Sequence, residues 1–110
     1  MNSEAYIGVD VSKDLLDVKV LPSNESQQFS NDDPGIKKFI TFVKKIDPQL
    51  IVFESTGGYE LLAASCLAEA GLAVVIVNPR QVRNFAKATG ILAKTDAIDA
   101  RVIARFAEAV

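Results

Sequence analysis

Hydrophobic and polar positions follow two periods along this chain, and the changes of period mark its elements. Residues 5–11, Ala-Tyr-Ile-Gly-Val-Asp-Val, set Ile7, Val9 and Val11 on one face of a strand and Tyr6, Gly8 and Asp10 on the other. After the polar turn Ser12-Lys13-Asp14, Leu16, Val18 and Val20 alternate with Asp17 and Lys19, as in the second arm of an antiparallel hairpin with one wet face. A third short strand is expected around residues 27–30. Asp33-Pro34 reads as an N-cap with proline at N1, and Ile36, Phe39, Ile40, Val43 and Ile46 then recur at helical spacing up to Pro48. Leu50-Ile51-Val52-Phe53 is unbroken apolar sequence, typical of a strand buried on both faces, and it ends in Glu54-Ser55-Thr56-Gly57-Gly58. A helix over 59–70 stops at Gly71, and residues 73–77 predict another fully buried strand closed by Asn78-Pro79. A helix over 80–88 is broken by Thr89-Gly90, and a last amphipathic helix from about Asp96 carries Ile98, Val102, Ile103 and Phe106.

The strand, helix, strand order in the middle of the chain requires a parallel pair, so three antiparallel strands lead into parallel ones. The fold class is α/β with a mixed sheet flanked by helices, an arrangement that RNase H-like (RuvC-like) domains have. At 110 residues and 49% hydrophobic, the chain suits one domain over 1–110 with an aliphatic core helped by six Phe. Its last residues, Ala109-Val110, carry no cap or tail, so the chain is expected to be one domain of a larger enzyme. No apolar run approaches the roughly 20 residues that cross a bilayer, and Met1-Asn2-Ser3-Glu4 lacks the regions of a signal peptide. A cytoplasmic protein with no membrane partner is expected. The single cysteine, Cys66, forms no internal disulfide and reads as a small core residue.

Zero histidines remove Ser-His-Asp and Cys-His catalysis, HExxH zinc sites and any imidazole base. Carboxylates are left as the main source of chemistry. Asp10 interrupts the most strand-like segment, where a buried ionised group costs several kcal/mol unless it is paired or metal-bound. An exposed strand acid reads the same way. Glu54 lies at the carboxyl end of a parallel strand, where open α/β sheets bind ligands, or else caps the next helix alongside Ser55 or Thr56. Glu60, a rival acid, is better explained by the helix dipole. Asp96 and Asp99 are three apart at the start of the last helix, which serves either a cap or a pair of ligands on one face. If that helix packs beside the first strand, Asp10, Glu54, Asp96 and Asp99 converge on one site. Four carboxylates select Mg²⁺ or Mn²⁺ over zinc, and two such ions roughly 3.5–4 Å apart bind both oxygens of a phosphodiester displacement.

Charge is uneven. Residues 1–77 carry six Lys/Arg against eleven Asp/Glu, and residues 78–110 carry six against three. Arg80, Arg83, Lys87 and Lys94 form a strip without an intervening acid, suited to a phosphate backbone or simply to solvent.

Four blocks carry a resemblance: Ile7-Gly8-Val9-Asp10-Val11-Ser12-Lys13, Phe53-Glu54-Ser55-Thr56-Gly57-Gly58-Tyr59, Val77-Asn78-Pro79-Arg80-Gln81-Val82-Arg83-Asn84-Phe85-Ala86, and Lys94-Thr95-Asp96-Ala97-Ile98-Asp99-Ala100. In this order over nearly the whole chain, they resemble the N-terminal RuvC-like domain of the bacterial DEDD insertion-sequence transposases and the Piv/MooV-type DNA invertases. The resemblance implies that Asp10, Glu54, Asp96 and Asp99 are a catalytic, metal-binding tetrad for DNA strand cleavage and exchange. It also implies Mg²⁺ or Mn²⁺ as cofactor, DNA as partner, a homo-oligomeric full-length protein and, in some members, a structured guide RNA. The resemblance further implies a C-terminal transposase domain with a serine nucleophile, expected to lie outside these 110 residues. Lys13 and the Arg80, Arg83, Lys87 and Lys94 strip are then candidates for phosphate contact.

Two other readings fit parts of the pattern. Actin-like ATPases and sugar kinases also open with a hairpin and an early Asp, but their first turn cradles phosphate with glycine, and Val11-Ser12-Lys13-Asp14 has none. A non-catalytic module that docks nucleic acid or partner subunits differs in predicting no specific divalent-ion binding.

Overall fold

The computed structural model describes residues 4–91 and 98–110. Five strands and four helices follow in the order β1 (Tyr6–Val11), β2 (Leu15–Leu21), β3 (Ser26–Ser30), α1 (Asp33–Ile46), β4 (Leu50–Glu54), α2 (Leu61–Glu69), β5 (Val74–Val77), α3 (Pro79–Ala88) and α4 (Ala100–Ala109). The sheet order is β3-β2-β1-β4-β5. The β1–β2 and β2–β3 pairs are antiparallel, while β1–β4 and β4–β5 are parallel. This is the RNase H-like arrangement: an open mixed sheet with helices on both faces.

Alternation along β1 divides the molecule. Ile7, Val9 and Val11 enter a core with Leu16, Val18, Val20, Ile51 and Phe53, sealed by α1 and α2 through Ile36, Phe39, Val43, Ala63, Ala64 and Leu67. Val52 and Val77 point the other way, into a second core that Val82 and Ala86 of α3 and Val102, Ile103 and Ala107 of α4 complete. Tyr6 and Leu50 pack against this second core, so the even positions of β1 and β4 share that face. Gly8 permits close approach. A Cβ there would collide with the backbone nitrogen of Ala104 and the backbone oxygen of Ala100, so α4 lies directly on β1.

Local signals set the boundaries, with four departures from the sequence pattern. The N-cap of α1 is Asp32 rather than Asp33: its backbone is extended and its carboxylate accepts the Gly35 N–H at 2.9 Å, leaving Pro34 within the first turn. Helix α2 begins only at Leu61, after a turn over residues 58–61 in which the Leu61 N–H donates to Gly58 O at 3.1 Å and which follows the positive φ of Gly57 and Gly58, 81° and 123°. Strand β5 is not fully buried. It is the sheet edge, and Val75 and Ile76 are each 42% exposed. Helix α4 begins at Ala100, not near Asp96, because Asp99 is extended and its carboxylate accepts the Val102 N–H at 3.1 Å. Asp99 is thus the N-cap, and the helical three-residue spacing expected of Asp96 and Asp99 does not apply to it. Cys66 is free and packs partly buried against the first core. Among the described residues, no helix is long and apolar enough to cross a membrane.

Candidate functional site

The β1–β4 pairing ends with Val9 opposite Phe53, and one step further along both parallel strands come Asp10 and Glu54. Both project from the α3–α4 face, by the same alternation that puts Gly8 under α4 and Val52 in the second core. Each is half-buried. Burial raises the Asp10 pKa, and the charges of Asp17 and Asp99 raise it further. Burial also raises that of Glu54, the Asp10 charge adds to the effect, and Arg83 opposes it. The Oε2 atom of Glu54 is buried and has no hydrogen-bond partner. A desolvated carboxylate oxygen beside a like charge is the arrangement that a cation relieves.

Close packing of α4 on Gly8 delivers Asp99 to the same end of β1. There, a groove of about 380 Å³ is lined by Asp10, Asp17, Lys19, Gln27, Asp99 and Arg101, among others. Asp17 lies directly opposite Asp10 in the β1–β2 ladder. In sequence, Asp17 is only a polar position of the wet hairpin face. Its relation to Asp10 depends on hairpin register, which the two-residue period leaves open.

Of the three described acids of the predicted tetrad, Glu54 and Asp99 are each within electrostatic reach of Asp10. Asp96 and Lys94 lie outside the described residues. Among the described residues, no three His, Cys, Asp or Glu side chains lie together closely enough to hold a metal ion. The donor set nevertheless suits a hard cation, consisting entirely of carboxylate oxygens, one of them orphaned.

Two neighbouring loops are fixed by Glu60 and Asn31, in roles that the sequence pattern does not show. Glu60, 4% exposed, turns back so that Oε1 accepts from Thr56 N, Thr56 Oγ1 and Gly58 N at 2.9–3.1 Å. Burial alone would raise its pKa, but these bonds and its own backbone N–H outweigh that and lower it. It pins the loop that follows Glu54, a role that position near a helix start does not reveal. Asn31 Nδ2 donates to Ser12 O and Tyr59 O, both at 3.0 Å, joining the turn after β1 to the loop after β4.

The predicted basic residues divide. Arg80, Arg83 and Lys87 recur along one side of α3, opposite the buried Val82 and Ala86. Arg83 is half-buried and its charge reaches Glu54, so it belongs to the acidic site as much as to a phosphate track. Lys13 is exposed in the turn after β1.

Comparison with known proteins shows the family. The family model of the IS110-type DEDD transposases, described as transposase, matches residues 7–109. The pilin gene-inverting proteins of Moraxella lacunata and Moraxella bovis are each 30% identical to the chain over 94% of its length. The chain spans about a third of the length of these curated relatives, 34% in both cases.

Proposed function

This chain belongs to the IS110-type DEDD transposase family, and from that membership we propose that it is the carboxylate-bearing domain of a metal-dependent DNA recombinase. The observation that carries the reading is Asp10 beside Glu54 on adjacent parallel strands, with a buried Glu54 oxygen lacking any partner. Asp10, Glu54 and Asp99, with Asp96, are the residues that would hold Mg²⁺ or Mn²⁺. When bound, such an ion supplies Lewis-acid stabilisation of charge developing on phosphodiester oxygens.

The chain's own residues do the rest. Asp10 and Glu54 fix two ligands on rigid strands rather than on loops, which limits their movement relative to one another. Asp99 presents its charge from the first position before α4 while its Oδ1 caps the helix. Arg83 balances Glu54, and the exposed Lys13, Arg80 and Lys87 attract the phosphate backbone without reading base sequence. The choice of target, whether by a structured guide RNA or by protein contacts, and assembly into a homo-oligomer are assigned to the full-length protein.

The expected consequence is a divalent-ion response. A ligand that binds only the native state stabilises it by about 2.7 kcal/mol at 100 times its dissociation constant, which thermal melting resolves as a rise of several degrees. Asp10→Asn and Asp99→Asn should each abolish the rise. Asparagine caps a helix as well as aspartate, so Asp99→Asn removes the charge and keeps α4. Identical melting with and without millimolar Mg²⁺ or Mn²⁺ would favour a second reading, a domain that docks nucleic acid without metal chemistry.

A further inference from the structure

The α3 strip flanks the acids on the β4–β5 side of the sheet, and the other side carries cations that the sequence pattern did not mark. The groove beside Asp10 is continued, through shared Arg101, by a second of about 310 Å³ lined by Leu21, Asn24, Arg101, Arg105 and Glu108, among others. We read the two, which meet at Arg101, as one channel between α4 and the β2–β3 ribbon. At one end it holds Asp10, Asp17 and Asp99; further along it holds Lys19, Arg101 and Arg105.

We propose that this channel holds the phosphodiester backbone of the DNA strand, with Arg101 and Arg105 as its phosphate contacts. The proposal rests on the reading of the acids as the site of strand cleavage. The two arginines are four apart on α4, so they stand on one side of the helix about 6 Å apart along its axis. Each offers a planar fork of donors matched to phosphate oxygens. Arg101 shares its groove with three carboxylates, and Arg105 forms a salt bridge with Glu108 at 4.0 Å. That bridge is about half exposed and weak, so Arg105 leaves it readily for a phosphate. On the opposite wall Lys19 is held in place, its Nζ donating to Asn24 O at 2.8 Å and Ser26 Oγ at 3.1 Å. A strand lying along these cations is carried into the acidic end, where its own negative charge is repelled unless it arrives with cations. The channel therefore couples phosphate capture to cation binding.

Fluorescence anisotropy of a labelled single-stranded DNA oligonucleotide, titrated with the full chain at several salt concentrations, tests this. Arg101→Gln with Arg105→Gln should weaken binding at least about tenfold and lower the slope of log affinity against log salt by about 1.4, the value for two phosphate contacts on a single strand. Lys44→Gln with Lys45→Gln, the same charge change at the end of α1 on the opposite face, should leave affinity within about twofold. Arg101 lies in the first turn of α4, where a cation opposes the helix dipole, so Arg101→Gln alone should retain or raise the melting temperature while still losing affinity. Equal losses in the two double variants would overturn the channel, and the metal-dependent melting of the acids would be untouched by that result. An unaltered chain that binds no DNA at low salt would overturn both the channel and DNA as the substrate.

Discussion

The two faces of the sheet are made by alternate residues of the same strands and differ in what they hold. On the α1–α2 face large rings interlock: Phe39 stacks on Phe29 at 5.2 Å and meets Phe53 edge-on at 6.5 Å, with Phe42 against Phe29 at 5.6 Å. On the α3–α4 face the contact with β1 is made by Gly8, Ala100 and Ala104, the smallest residues available, and the candidate acids gather at its end. Bulk on one face holds the sheet together. Smallness on the other lets a helix approach closely enough to bring a residue near position 100 to a residue near position 10. Stability and proximity are therefore separable tasks here, and mutations should separate them.

The largest effect is expected from Phe39→Ala, which empties the centre of the ring cluster and should cost about 3–5 kcal/mol in urea unfolding, a large part of a small domain's total. The protein that remains folded should keep its Mg²⁺ response, and loss of that response would show that the faces are not independent. Next comes Gly8→Ala. One methyl directed at the α4 backbone should cost about 1–3 kcal/mol and, by lifting α4 from β1, should abolish the Mg²⁺-dependent rise in melting temperature. A variant that keeps both properties would refute the close packing.

The smallest effect has the opposite sign. Asp10 and Glu54 have raised pKa values in the native state, so that state holds protons more tightly than the unfolded chain does. Stability from these groups should rise as pH falls through their native values and be lowest above them, where both are ionised. Asp10→Asn or Glu54→Gln should therefore raise the metal-free melting temperature at neutral pH by about 2–4 °C and flatten that part of the pH profile. Asp32 provides the contrast on the other side. The Ser30 hydroxyl and the Gly35 N–H lower its pKa, so its contribution is present above the unfolded carboxylate range and is lost as pH falls through its native value. A melting temperature that falls in Asp10→Asn would make the acids structural partners rather than a repelling set.

Much of this was legible beforehand. Five strands, the helical stripe of α1 and the antiparallel-to-parallel order all follow from periodicity, because local apolar spacing directly reports which side of an element is covered. The family, too, was readable from four short blocks, and the match over residues 7–109 confirms it. Less legible were positions whose meaning depends on a distant neighbour. Asp17 gained its place opposite Asp10 through register. Glu60 looked like a dipole-favoured acid and is a buried clasp on the loop after Glu54. Asp99 looked like one of two acids on a helical face and is the cap itself. Edge strand β5, apolar throughout, reads as a buried strand, since apolar content does not say whether a further strand lies beside it.

By itself, then, the sequence determined the elements, the exclusion of histidine chemistry and the carboxylates available for metal binding, because these follow from residue type and short-range spacing. Only the tertiary structure decided that α4 rests on Gly8, that Asp99 and Asp17 lie near Asp10, and that Arg101 lines both their groove and the neighbouring one that holds Arg105. Those relations join residues far apart in the chain, and they are set by which surfaces can approach closely.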